Sequence, residues 1–118
     1  ELSNGVVRVV LSGLSRVSVL NYLKDEDGCL ESFVIPTRDI DEDKIEAEAL
    51  RRVLLKDLNN YIESSSLMSN SVLGRISGVD DIGKLTDMIV PELPINYTGK
   101  LKYLTEINAV NRIKLFTK

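Results

Sequence analysis

The chain has 118 residues, 43% of them apolar, which suffices for one small globular domain with its own core. Fifteen basic against eighteen acidic side chains leave a formal net charge of −3, so nothing points to nucleic acid or an anionic membrane as a principal partner. With no histidine and a single cysteine, Cys29, a Ser-His-Asp or Cys-His centre, a typical zinc site and an internal disulfide are all excluded.

The first stretch, Asn4 to Leu20, reads as a strand, a glycine break at Gly13 and a second strand. Val7, Val9 and Leu11 share one face of the first strand, while Val6 and Val10 make its other face apolar too. A strand of this kind is normally covered on both sides or paired along both edges. Asn4-Gly5 is a hairpin dipeptide, yet only three residues precede it and the chain opens on Glu1. The expectation is a piece of a longer protein whose uncovered strand, in isolation, self-associates. Val17 and Val19 continue in the second strand, Asp27-Gly28 closes a loop, and Leu30 to Ile35 returns until Pro36 ends it.

From Asp41 the apolar period becomes helical. Ile45, Ala49, Leu50, Val53, Leu54, Leu58, Tyr61 and Ile62 form one stripe of a helix running to about Ser64. Asp39, Asp41, Glu42 and Asp43 suit its electropositive N-terminus. After Ser64-Ser65-Ser66, Ser69 or Asn70 caps a short helix through Val72, Leu73 and Ile76, closed by Gly78. Asp80 or Asp81 caps the next, with Ile82, Leu85, Met88 and Ile89 inward, until Pro91 and Pro94 interrupt. A turn is expected near Thr98 to Leu104, then a helix capped by Asn108 that carries Val110, Ile113 and Phe116 on one side. The fold class is α+β: a short antiparallel β remnant of about three strands, then a mostly α-helical bundle with one long helix.

Few motifs carry chemistry. Gly78 to Leu85 has the spacing of a P-loop, but Leu85 stands where a Mg²⁺-ligating hydroxyl is required, and Asp80 and Asp81 would repel phosphates. Asp39, Asp41 and Asp43 imitate a calcium loop, but Lys44 and Leu50 occupy its obligatory glycine and glutamate positions. Lys100, Lys102, Arg112, Lys114 and Lys118 form a local basic excess, which reads as a solvated face. No catalytic, cofactor-binding or metal-binding residue is assigned. Leu67 and Met68 sit in what should be an exposed connection; they either present a surface for varied partners or tuck under the helix ends as core. The lone cysteine, with no signal peptide and no apolar run of membrane-spanning length, fits a cytoplasmic protein.

Three runs in this order resemble the N-terminal (LON) domain of the ATP-dependent protease Lon. They are Val9 to Val17, a strand–Gly–x–x–Arg–strand segment; Val79 to Ile89, a helix opened by paired aspartates with a later Leu-x-Asp; and Leu104 to Ile113, with its Arg112-Ile113 pair. Thr86 replaces a usual alanine, and Asn108 a common aspartate. The resemblance implies that residues 1–40 are the terminal strands of a β-rich lobe and residues 41–118 a helical lobe leading into a truncated long helix. It implies a non-catalytic role, capturing unfolded or damaged client proteins, with Leu67 and Met68 as candidate contacts. The ATPase domain, using ATP and Mg, and the Ser-Lys protease domain of a homo-oligomeric ring would lie elsewhere. Alternatives are a structural module that spaces ring subunits, or a stand-alone LON-domain protein.

Overall fold

The computed structural model describes residues 4–38 and 43–117. Among these, two β-strands precede five α-helices, an α+β arrangement. The chain divides between Thr37 and Arg38 into two compact units.

The N-terminal unit is a hairpin. Strands β1 (Val17–Lys24) and β2 (Leu30–Pro36) pair antiparallel. Val17 stands opposite Pro36, and the register shifts between Val19 and Asn21, so Leu20 sits in a bulge. Pro36 closes the ladder as its last residue, where its missing N–H costs least. The connection turns on Asp25, whose carboxylate accepts from the Cys29 amide at 2.7 Å while its carbonyl accepts from Gly28 N. Gly28 takes φ +82°, which a side chain would resist.

The strand expected over Val6 to Leu11 does not form, so the sheet has two strands rather than about three. A strand needs a hydrogen-bonding neighbour, and in this sheet β1 and β2 neighbour only each other. Asn4-Gly5 instead makes a local turn: the Asn4 side chain accepts from Val6 N at 3.2 Å, with Gly5 at φ +75°. Both faces of the hairpin, and Val6 to Leu14 before it, are exposed.

The C-terminal unit holds the core. Helix α1 (Lys44–Ser64) is about 30 Å long and is capped by Asp43, which accepts from Ile45 N and Glu46 N. Asp39 and Asp41 lie outside the described residues. Ala47, Leu54, Leu58 and Ile62 form the stripe that α1 buries, whereas Ile45 and Val53, expected on it, are exposed. Helix α2 (Asn70–Ile76), capped by Ser69, and helix α3 (Ile82–Ile89), capped by Asp81, pack on that stripe with Val72, Ile76, Ile82, Leu85 and Ile89. A 3₁₀ turn at Val90–Glu92, with Pro91 at its start, ends α3.

The segment expected as a turn near Thr98 to Leu104 is helix α4 (Tyr97–Thr105), with Asn96 accepting from Gly99 N at 2.8 Å. Gly99 obscured the capped helix start, because glycine lowers helix propensity. Helix α5 (Ala109–Lys114), capped by Asn108, inserts Ala109, Val110 and Ile113 into the core and passes into a 3₁₀ turn at Leu115–Thr117. Tyr103 of α4 and Phe116 stack obliquely, ring centroids 4.7 Å apart, and burial pushes the Tyr103 phenol above its ordinary pKa.

Candidate functional site

The two candidate contact residues part company. Met68 is 5% exposed and belongs to the core of the helical unit, whereas Leu67 is 67% exposed. The Ser64-Ser65-Ser66 connection explains the split. Ser65 Oγ accepts from Leu67 N at 3.2 Å, which fixes a turn between α1 and α2. Adjacent side chains in that turn point opposite ways, one under the helix ends and one into solvent.

The glycine- and aspartate-containing run before α3 is a helix start. Asp81 accepts from Lys84 N at 2.7 Å, and Asp80 is exposed beside Arg51. Arg51 donates to the carbonyls of Val79 at 2.8 Å and Ser77 at 2.9 Å, tying the α2–α3 turn onto α1. A cavity of about 350 Å³ opens here, lined in part by Lys44, Glu48, Asp80, Asp81, Gly83 and Ala109. Three carboxylates against one ammonium give it the wrong sign for a nucleotide's phosphates. Among the described residues no cluster of metal-ligating side chains is present, and no helix is long and apolar enough to cross a membrane.

The most constrained polar group is one that the sequence reading placed in a solvated basic face. Arg112 is 0% exposed. Its Nε donates to the Glu106 carbonyl at 2.9 Å, and a terminal nitrogen reaches Thr86 Oγ1 at 3.3 Å and the Gly83 carbonyl at 3.4 Å. The Asp87 carboxylate lies 3.6 Å away. Glu106 is the C-cap residue of α4, at the end of the helix where the dipole favours a cation. One guanidinium thus joins α3 to the α4–α5 connection, and its planar fork suits several acceptors at fixed angles.

Helical spacing held the signal. Arg112 is three residues after Ala109 and four before Phe116, on the apolar side of α5. Two other cations of that run also have partners. Lys114 Nζ pairs with Glu46 at 2.6 Å, and Lys100 Nζ donates to the Pro91 carbonyl at 2.8 Å.

Thr86 and Asn108, the two departures from the family pattern, both have roles. Thr86 is buried, donates its hydroxyl to the Gly83 carbonyl at 2.8 Å and accepts from Arg112. Asn108 accepts from Asn111 N at 2.9 Å, as an N-cap should.

Comparison with known proteins agrees with the runs that meet at Arg112. The family model for the ATP-dependent protease La (LON) substrate-binding domain matches residues 1–118. A Lon protease of Bacillus thuringiensis (strain Al Hakam) is 32% identical over 113 residues, covering 96% of this chain and 14% of that protein. The Lon protease of Brevibacillus choshinensis is 32% identical over 118 residues, covering 98% and 15%. That of Brucella suis biovar 1 (strain 1330) is 29% identical over 114 residues, covering 97% and 14%. The chain therefore spans about one seventh of the length of these relatives. With the match running from end to end, the chain belongs to the family of ATP-dependent protease La (LON) substrate-binding domains.

Proposed function

We propose that this segment captures unfolded or damaged proteins for degradation by ATPase and Ser-Lys protease domains outside it. The family match over residues 1–118 carries the reading. In this reading the parent protein is a cytoplasmic homo-oligomeric ring, its ATPase uses ATP and Mg, and this segment has no catalytic role. Exposed apolar side chains support the assignment. Leu67 projects from the α1–α2 connection, and Val9, Val10, Leu11 and Leu14 are open to solvent in the N-terminal unit. Surfaces of this kind bind extended apolar segments weakly and with little sequence preference, and several copies in one assembly add strength by raising effective concentration.

Titration of a permanently unfolded protein against the chain tests the proposal. Saturable binding is expected, weakened by Leu67→Ser; no binding at any accessible concentration overturns it. The open edges of the hairpin add a second expectation. The isolated chain should self-associate as its concentration rises, because uncovered strand edges and apolar faces pair readily. Light scattering that reports a strict monomer at high concentration removes this expectation.

A further inference from the structure

The Asn4-Gly5 turn combines a side-chain amide with an unscreened main-chain nitrogen. Both residues are exposed. Asn4 Oδ1 accepts from Val6 N at 3.2 Å, an arrangement that folds the side-chain amide back along its own main chain. A bond from the Gly5 nitrogen to Asn4 Cγ would close a small ring, a succinimide. Gly5 adds no side chain to block that approach: the space where a Cβ would stand holds nothing within 4 Å. Its φ of +75° is one that residues with a Cβ resist. The Val6 N–H contributes in another way, because a donor on a carbonyl oxygen stabilises the negative charge that develops there when a nucleophile adds.

The other asparagines are held differently, and none of them precedes glycine. Asn59, Asn60, Asn70 and Asn111 lie within helices, whose hydrogen-bonded backbone resists the rotation that ring closure requires. Asn21 Oδ1 accepts across the hairpin from Phe33 N at 3.3 Å, and Asn96 and Asn108 accept from helix amides as N-caps. In Asp27-Gly28 the Gly28 amide donates to the Asp25 carbonyl at 3.1 Å, and a carboxylate is a poor electrophile.

We propose that Asn4 is a site of spontaneous modification, converting through a succinimide to aspartate and isoaspartate. The Gly5 nitrogen gives its proton to solvent base and bonds to Asn4 Cγ. The Cγ–Nδ2 bond then breaks, and the side-chain nitrogen takes up a proton and leaves as ammonia. Water afterwards adds to either ring carbonyl and opens its bond to nitrogen. Attack at Cγ gives aspartate; attack at the main-chain carbonyl gives isoaspartate, in which the chain runs through Cβ and Cγ. No oxidant or reductant takes part. Either product places a new carboxylate just ahead of the apolar run Val6 to Leu11. Aspartate still accepts from the Val6 amide and keeps the turn, whereas isoaspartate lengthens the main chain and re-spaces it. The inference is independent of the capture reading.

The test is incubation of the whole chain at mildly alkaline pH, followed by tryptic digestion and mass spectrometry. The peptide Glu1–Arg8, cut after the first basic residue, contains Asn4 and no other asparagine, so its mass and isoaspartate content report this site alone. It is expected to convert before any other asparagine and to give aspartate and isoaspartate as separate chromatographic species. Conversion in the chain should be no slower than in the free synthetic peptide, and faster as pH rises, because the attacking nitrogen must lose its proton. Gly5→Ala should slow it by about tenfold, since the added Cβ screens the nitrogen and disfavours the positive φ. Asn4→Gln, which would have to close a larger ring, should remove the isoaspartate signal. An unchanged Glu1–Arg8 peptide, earlier conversion of another asparagine, or aspartate without isoaspartate overturns the proposal. So does a lower rate in the chain than in the free peptide, or Gly5→Ala converting at the parent rate.

Discussion

Arg112→Ala is expected to destabilise the helical unit by about 3–5 kcal/mol, the cost of removing one partner from a buried charged network. Five to fifteen kcal/mol is an ordinary total stability for a folded domain, by the usual range of roughly 5–15 kcal/mol, so the variant loses a large share of its margin. Two effects add. The alanine leaves a void between α3 and α5 where a long side chain lay, and it strands acceptors that the guanidinium satisfied. Those are the Glu106 carbonyl and the Thr86 oxygen, while the Gly83 carbonyl keeps the Thr86 hydroxyl as its donor. Arg112→Lys should recover only part of the loss, because one ammonium cannot reach acceptors spread around a planar fork. Urea unfolding followed by circular dichroism measures both. A loss below about 1 kcal/mol for the alanine variant would place Arg112 among ordinary surface residues and contradict its burial.

The second large effect separates neighbours in sequence. Met68→Ser should cost about 2–5 kcal/mol, as truncation of a buried methionine does, because it also places a hydroxyl within the apolar core. Leu67→Ser should stay within about 0.5 kcal/mol, the usual span for an exposed position. The contrast governs how capture experiments are read. A loss of client binding in Met68→Ser follows from unfolding, whereas a loss in Leu67→Ser with unchanged thermal stability reports a lost contact. Equal destabilisation by the two changes would mean that the α1–α2 turn does not divide them as described.

Much of the helical unit was legible in the chain because periodicity and capping agree there. The stripe through Leu54, Leu58 and Ile62, and the caps at Ser69, Asp81 and Asn108, are local signals that packing reinforced. Each misreading has its own physical cause. Val6 to Leu11 has strand composition, but a ladder requires a partner that composition cannot supply. Residues 97–105 contain a glycine at their third position, which concealed a helix start that Asn96 secures. Arg112 was grouped with lysines by charge, although its position between Ala109 and Phe116 placed it inward. Leu67 and Met68 were read as a pair, and only the geometry of the serine turn could part them.

Cys29, at the exposed tip of the hairpin, is the sole thiol of the chain, and the chain contains no tryptophan. A maleimide dye therefore attaches at one position, against a background free of indole emission. Because that position belongs to the N-terminal unit, its signal follows events at the hairpin. Tyr61, Tyr97 and Tyr103 supply ultraviolet emission from the helices, and Tyr22 adds the same colour from the hairpin. With Tyr22→Phe the two colours time melting or ligand arrival separately in each half of one molecule.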